Sequence, residues 1–409
     1  MTEIGIIGGG VSGMTAAIAA ARLGASVCLF EKTDRVGKKL LATGNGRCNL
    51  SNRDMSLSHY HGSCAGLVPA VFECFGPEDT AAFWKELGIE QREQERGKLY
   101  PRSLQASSVL DVLRYELQRL NVECLTDQPV QEIRKTEAGF ALKTPGGIRR
   151  FSRVILAAGG KASPKFGADG SGAALARQLG LRLRPLRPAL CRLECRHPEL
   201  RALMGVKVDA EAVLRTETGE EQRAGGEVLF TETGLSGPPI LELSRRAGEE
   251  LEKGRTAAVY LDLCPEESPG EVFAAFSERF SAMPYKNLKD GLNGWLHKKL
   301  IPVVARESGL SLQTGCGSLS RKDVGRLAAV LKEWKFPVLR LAGWAEAQVT
   351  VGGVLGEEVT SRLECRKLPG LFLAGEVLDL DGDCGGYNIQ WAVSSGYAAG
   401  SAAAEAQNV

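Results

Sequence analysis

The sequence predicts an α/β fold in which a Rossmann-type, dinucleotide-binding domain is split by an inserted second domain. Three observations predict it. Glycines in G-x-G-x-x-G spacing follow the first apolar run and open a helix. Near the other end, an apolar strand runs into Gly375-Glu376, a second glycine-rich turn and a last helix. Between them, from about residue 190, the alternation of antiparallel strands replaces the strand–helix alternation of the ends. With 409 residues the chain is long enough for this plan.

The N-terminal unit is read first. Residues 4–7 form a buried strand, an alanine-rich helix follows, and residues 26–30 form a second parallel strand ending at Glu31. Gly8 permits the tight turn, Gly10 lets the backbone approach a pyrophosphate, and Gly13 lets the helix pack close to the strand. The first N–H groups of the helix, at Val11 and Ser12, then face phosphate with help from the helix dipole. Glu31, about twenty residues on, stands where a carboxylate binds ribose hydroxyls.

Residues 34–52, DRVGKKLLATGNGRCNLSN, are too rich in glycine and asparagine for a helix and too basic for a core strand. They are expected to be a loop that follows Lys32 onto the cofactor. Lys38, Lys39 and Arg47 would neutralise pyrophosphate, and Gly44 with Gly46 would allow close approach to a flat ring. Helices are expected at 77–87 and 107–120, a turn or short hairpin at 98–101, and strands at 122–125 and 130–135. Val130 is placed to meet an adenine. A hairpin is expected from 140–144 and 150–153 around Pro145-Gly146-Gly147. The strand at 154–160 ends in Ala158 and Gly159, as expected where a strand passes beneath a cofactor. G-S-G-A-A-L at 170–175 lacks the third glycine of a second motif. One dinucleotide therefore resides in the protein, FAD rather than a second, dedicated NAD(P)H domain.

The insert, residues 189–343, should contain antiparallel strands at 206–215, 221–231 and 256–263, and helices at 269–282, 292–307 and 320–334. Strand returns at 340–341 and 346–351. The turn from Thr233 through Gly234 and Leu235 to Ser236 is suited to approach the flavin, and the insert is expected to wall or lid the substrate cavity. The closing segment places Glu376 for the ribityl hydroxyls. The helix starting near Asn388 would point its N–H groups at the flavin pyrimidine edge, stabilising charge near N1.

Composition excludes several classes. The chain is 44% hydrophobic and 24% charged, an ordinary globular balance, and a net charge of +2 gives no case for nucleic acid or membrane surface. The first apolar run lacks a basic leader and is expected to be neither signal peptide nor membrane span. Eleven cysteines without a C-x-x-C pair, and only four histidines, argue against a metal or disulfide framework and suit the cytoplasm.

GGGVSG with Glu31, KKLLATGNGRCN, FGADGSG, LFTETGLSGPPIL, QVTVGGV and LAGEVLDLDGDCGGYNIQWA together resemble the BaiN/RdsA-type flavoproteins, a family of FAD-dependent oxidoreductases. The resemblance spans essentially the whole chain. TVGGV followed by PGLFLAGE is more distantly similar to fumarate-reductase-like flavoproteins of the glutathione-reductase superfamily. The resemblance implies a Rossmann-type FAD domain, residues 1–188 and 344–409, split by an insert with a β-barrel-like part and a helical part. It implies non-covalent FAD contacts that include Asn45, Cys48, Asn49, Gly386, Tyr387, Asn388 and Ile389. Members of that family are linked to different activities, among them reduction of carbon–carbon double bonds in 3-oxo bile-acid intermediates with NAD(P)H and oxidation of aminoacetone, so the resemblance implies the cofactor and fold but not a single reaction.

A double-bond reductase needs an acid near the α-carbon and donors for the developing enolate oxygen. Tyr387 is the first acid candidate, with Arg47, Asn49 and Asn388 as donors. Cys48 and Cys384 are not placed as a redox pair. His59 and His61 read as loop surface, with a role at the substrate edge as the alternative, and Asp379, Asp381 and Asp383 as a solvated turn in which one raised pKa would make a donor. The leading expectation is a reductase of conjugated double bonds in small 3-oxo steroid-like substrates, with NAD(P)H visiting transiently. The alternatives are an amine oxidase and a flavin-binding redox sensor without turnover. No aromatic cage or dedicated carboxylate for an amine is identifiable.

Overall fold

The computed structural model describes residues 2–405. They divide into two compact units, one of residues up to Pro188 with those from Trp344, the other Ala189–Gly343. Each has its own apolar core.

In the first unit β1 (Glu3–Ile7) leads through α1 (Val11–Arg22) to β2 (Ser26–Phe30), and α2 (Ala106–Arg119) leads to β3 (Glu123–Leu125). With β4 (Arg153–Leu156) and β5 (Leu371–Leu373) they form a five-stranded sheet in the order β5-β4-β1-β2-β3, every pairing parallel. Ile4 and Ile6 of β1 and Val154, Ile155 and Leu156 of β4 are wholly buried, as expected of parallel strands covered on both faces. The last helix, α3 (Tyr387–Glu405), lies on α1. Small residues allow this: a Cβ on Gly396 would lie 2.3 Å from the Ser12 carbonyl oxygen, and one on Gly400 2.3 Å from that of Ala16.

Several local expectations are corrected. Residues 38–46 are not plain loop but short 3-10 turns interrupted at Thr43–Asn45, because Leu40 buries against the core while Gly44 and Asn45 take left-handed backbone. Lys98–Pro101 is a strand, paired with Gln91–Glu93 and Ser51–Asn52. The hairpin's second strand starts early, at Gly147, and Arg153 opens β4 of the parallel sheet instead.

The second unit is built on a closed barrel. Its strands run in the order Leu193–Cys195, Gly234–Ser236, Glu221–Thr231, Lys207–Thr216, Ala257–Asp262 and Trp334–Leu341. Gly234–Ser236, expected as an open turn, is thus a barrel strand bonded on both sides. The helix expected at 292–307 is two helices, Leu288–Leu292 and Leu300–Glu307. Gly294, at φ +86°, lies in the break. Trp334, expected to end a helix, begins a strand and packs with Phe230 and Phe336 in the barrel core. Among the described residues no helix is long and apolar enough to cross a membrane.

Candidate cofactor site

The site grows from the carboxyl ends of the parallel strands, where open α/β sheets bind ligands. After β1 the chain turns at Gly8, φ +109°, where a Cβ would lie 2.5 Å from the Ala157 carbonyl oxygen. A Cβ on Gly13 would lie 1.8 Å from the Gly8 carbonyl oxygen, so α1 rests directly on the turn. Gly10 differs: no atom lies within 4 Å of where its Cβ would be. It caps α1 without a side-chain bond, and no acidic residue occupies the first turn. The N–H groups of Val11, Ser12 and Gly13 precede the helical bond from Met14 N–H to Gly10 C=O (2.9 Å), so they are open to an anion. Glu31 sits beside this loop. Its Oε2 accepts from Gly9 N–H at 2.9 Å, and its Oε1 from Thr33 N–H at 2.8 Å.

The ends of β4 and β5 join it. Gly159 has left-handed backbone (φ +68°) and open space where a side chain would be, and half-buried Ala158 precedes it. A Cβ on Gly375 would lie 2.4 Å from Ser12 Oγ. Glu376 accepts from Lys39 Nζ at 2.8 Å and from Thr350 N–H at 2.6 Å. The other two lysines of the segment are paired elsewhere, Lys32 with Asp169 and Ser171, Lys38 with Asp34. Val130 is a buried apolar residue beyond the sheet.

A second cluster forms where residues 44–61 meet the turn before α3. A Cβ on Gly386 would lie 2.4 Å from the Ser51 carbonyl oxygen, and Asn52 Nδ2 donates to Gly385 C=O at 3.0 Å. Arg47 lies over the Tyr100 ring at 5.1 Å. Asn49 Oδ1 is buried with no hydrogen-bond partner. The first turn of α3 starts at Tyr387, and the N–H groups of Tyr387, Asn388 and Ile389 precede the bond from Gln390 N–H to Gly386 C=O (3.0 Å). The Asn388 side chain holds its own turn, accepting from Gly382 N–H at 2.9 Å and donating to Gly382 C=O at 2.7 Å. Burial pushes the Cys48 thiol up to about 12, so it is no thiolate at neutral pH. Open space over Gly10 and Gly159, the N–H groups at the start of α1 and the orphaned Asn49 oxygen fit an anionic dinucleotide with a polar ring.

The aspartate turn is not solvated. Asp379 is fully buried and Asp381 nearly so. Asp379 Oδ2 accepts from Ser63 N–H at 2.9 Å and faces Arg184 at 3.4 Å. Nor are the histidines idle surface residues. His59 Nδ1 lies 2.9 Å from Asp383 Oδ2, His61 Nε2 lies 2.8 Å from Asp383 Oδ1, and His59 Nε2 lies 3.1 Å from Asp54 Oδ2. The His59 ring stacks on Tyr387, centroids 4.3 Å apart and planes 20° apart. Burial alone would lower the His59 pKa, but hydrogen bonds and charge from Asp383 and Asp54 outweigh it and raise it. Burial would likewise raise Asp383, and its two histidines hold it below the usual carboxylate range.

Residues 2–402 match the HI0933-like protein Rossmann domain family. A 3-dehydro-bile acid delta(4,6)-reductase of Clostridium scindens is 41% identical over 99% of this chain and 100% of its own. A ribosomal RNA dihydrouridine synthase of Escherichia coli is 32% identical over 96% of each chain. Among solved structures, a 3-ketosteroid delta1-dehydrogenase from Sterolibacterium denitrificans superposes with a TM-score of 0.50 at 13% identity, over 99% of this chain and 100% of that one; this likeness is one of fold.

Proposed function

The chain belongs to the HI0933-like family of Rossmann-domain proteins, the BaiN/RdsA-type flavoproteins, and from that premise we propose that it reduces carbon–carbon double bonds conjugated to a carbonyl, with NAD(P)H as transient donor. It has the Rossmann-type FAD-binding fold with a closed six-stranded barrel, and it is an enzyme of the flavoprotein oxidoreductase class. The substrate class we assign is a 3-oxo steroid or bile-acid-like enone. The observation that carries this reading is the 41% identity, end to end, with a relative named for reducing the 4- and 6-double bonds of a 3-oxo bile acid. The second relative's name points to the same bond change: dihydrouridine is uridine whose carbonyl-conjugated double bond has been saturated.

When bound, FAD supplies the hydride. The rest falls to this chain. Gly8, Gly10 and Gly13 with the N–H groups of Val11 and Ser12 would bind pyrophosphate, and Glu31 and Glu376 the two sugar-like hydroxyl sets. Lys39, Gly44, Asn45, Arg47 and Asn49 would line the path between phosphate and ring. The N–H groups at the start of α3, on Tyr387, Asn388 and Ile389, would meet negative charge on the ring edge. Tyr387 Oη would give the proton to the substrate α-carbon.

The test is anaerobic spectroscopy of the FAD-loaded protein mixed separately with NADH, NADPH and aminoacetone. We expect a pyridine nucleotide to bleach the flavin and a 3-oxo-4-ene steroid to restore its colour. Bleaching by the amine alone, or recovery with a uridine-containing RNA but no steroid, refutes the assigned substrate class.

A further inference from the structure

The cluster around His59 is built beyond what holding a turn requires. Each ring nitrogen of His59 meets a carboxylate oxygen, Asp383 Oδ2 at 2.9 Å and Asp54 Oδ2 at 3.1 Å. A neutral imidazole has one N–H and suits one such partner; carboxylates on both sides favour the imidazolium, in which both nitrogens donate. The His59 ring lies face to face on the phenol of Tyr387, a buried residue only 5% exposed. The groups facing His59 come from two elements. Asp54, Tyr60 and His61 belong to its own segment; Asp383 lies in the turn before α3 and Tyr387 opens α3. Tyr60 stands edge-on to Tyr387 at 5.9 Å and donates to its carbonyl at 3.4 Å. His61 secures the second oxygen of Asp383 at 2.8 Å, so the carboxylate cannot rotate away from His59. Among the described residues no three His, Cys, Asp or Glu side chains are placed to hold a metal ion.

We propose that His59, carried as an imidazolium between Asp54 and Asp383, is a positioning residue for Tyr387. Its charge on the ring face fixes the phenol and stabilises the phenolate left when Tyr387 gives up its proton. This rests on Tyr387 being the acid of the proposed reaction. In that step the Tyr387 O–H bond breaks, the proton bonds to the substrate α-carbon and the electron pair stays on Oη. The reducing equivalents come from NAD(P)H by way of the flavin, and solvent returns the proton afterwards. A cation over an aromatic face is attracted to the ring, and more so to an anionic ring.

The charge is lost as pH rises through the His59 pKa, which lies above its ordinary 6.5. The experiment compares wild type, His59→Phe and His59→Arg as FAD-loaded proteins reducing a 3-oxo-4-ene steroid across pH. His59→Phe should lower kcat about tenfold below the wild-type inflection with KM nearly unchanged, the mark of an interaction made in the transition state. It should also abolish the alkaline fall in kcat. His59→Arg, charged throughout, should keep kcat and carry it to higher pH. Equal losses in both variants, or none in His59→Phe, overturn the proposal.

A second measurement needs no turnover. Proton NMR of the FAD-loaded protein should show the His59 ring titrating above its ordinary value, with ring protons shifted upfield. That upfield shift should vanish in Tyr387→Leu. An ordinary titration with no effect of Tyr387→Leu overturns the proposal on structural grounds. Failure of every enone to react, with these NMR signatures present, refutes the proposed reaction and leaves the His59–Tyr387 coupling standing.

Discussion

Two glycines of one motif, three residues apart, should fail in opposite ways when given a methyl group. At Gly13 the new Cβ would sit 1.8 Å from the Gly8 carbonyl oxygen and 3.1 Å from its carbon, both backbone atoms that cannot swing aside. Either α1 lifts from the turn or the turn deforms, and overpacking of this kind costs about 1–3 kcal/mol. Gly13→Ala should therefore lower the urea midpoint of the apo protein. At Gly10 the Cβ meets nothing within 4 Å, and φ −74° with ψ −175° is open to any residue. Gly10→Ala should leave apo stability within about 1 kcal/mol, the scale of an N-cap change. What it fills is the space through which a phosphate reaches the N–H groups of the α1 start. Losing one hydrogen bond to a charged group removes about 1.5–3 kcal/mol, or about 10- to 150-fold in affinity. The assay pairs urea unfolding of both apo variants with FAD titration by fluorescence quenching. Wild-type FAD affinity in Gly10→Ala, or a loss of apo stability equal to that of Gly13→Ala, would refute the assignment of that space to the cofactor.

Other expectations follow from the same geometry. Gly400→Val, which drives a side chain into the Ala16 carbonyl, should destabilise the first unit by at least about 1–3 kcal/mol in urea unfolding, because helix α3 has no room to retreat from α1. Alkylation with iodoacetamide followed by mass spectrometry should modify exposed Cys74 and Cys124 and spare Cys48 and Cys64, whose thiols burial pushes up to about 12. For His59 the folded pKa is raised, so its contribution is complete below about 6.5 and disappears as pH rises through the folded value. For Asp54 backbone and side-chain bonds from Ser56 and His59 depress the pKa to about 2, so its contribution is complete above 3.8 and disappears as pH falls toward about 2. The stability difference between wild type and His59→Phe should accordingly be greatest between these limits. A difference that grows above neutrality would contradict the pairing.

How much of this was legible in the sequence depends on how far apart the cooperating residues lie along the chain. The glycine turn is local: strand, turn, helix and acid fall within residues 3–31, and each glycine's part follows from its place in the spacing. The parallel sheet was legible for a similar reason, since buried strands read as short apolar runs whatever their partners. Elements whose conformation is set by distant contacts were not. Gly234–Ser236 reads as a turn until its two barrel neighbours supply the bonds, and Trp334 reads as helical until Phe230 and Phe336 receive it. The largest difference lies in the polar residues. His59 is 324 positions from Asp383, and each taken alone is a commonplace loop residue. The H-x-H and the run of alternate aspartates were both visible, yet nothing in either stretch names the other. Only the short antiparallel pairing of Tyr60–His61 with Asp381–Gly382 brings them together. In that pairing the turn that follows β5 lies beside residues 59–61, so the cluster is a product of the sheet's topology. The same dependence explains its economy: Asp383 can fix two imidazoles and, through one of them, the face of Tyr387 only because the five residues from Asp383 to Tyr387 carry both the carboxylate and the phenol. A substitution that shifts this turn should therefore disturb histidine ionisation and Tyr387 geometry together, whereas one in the glycine loop of α1 should disturb neither.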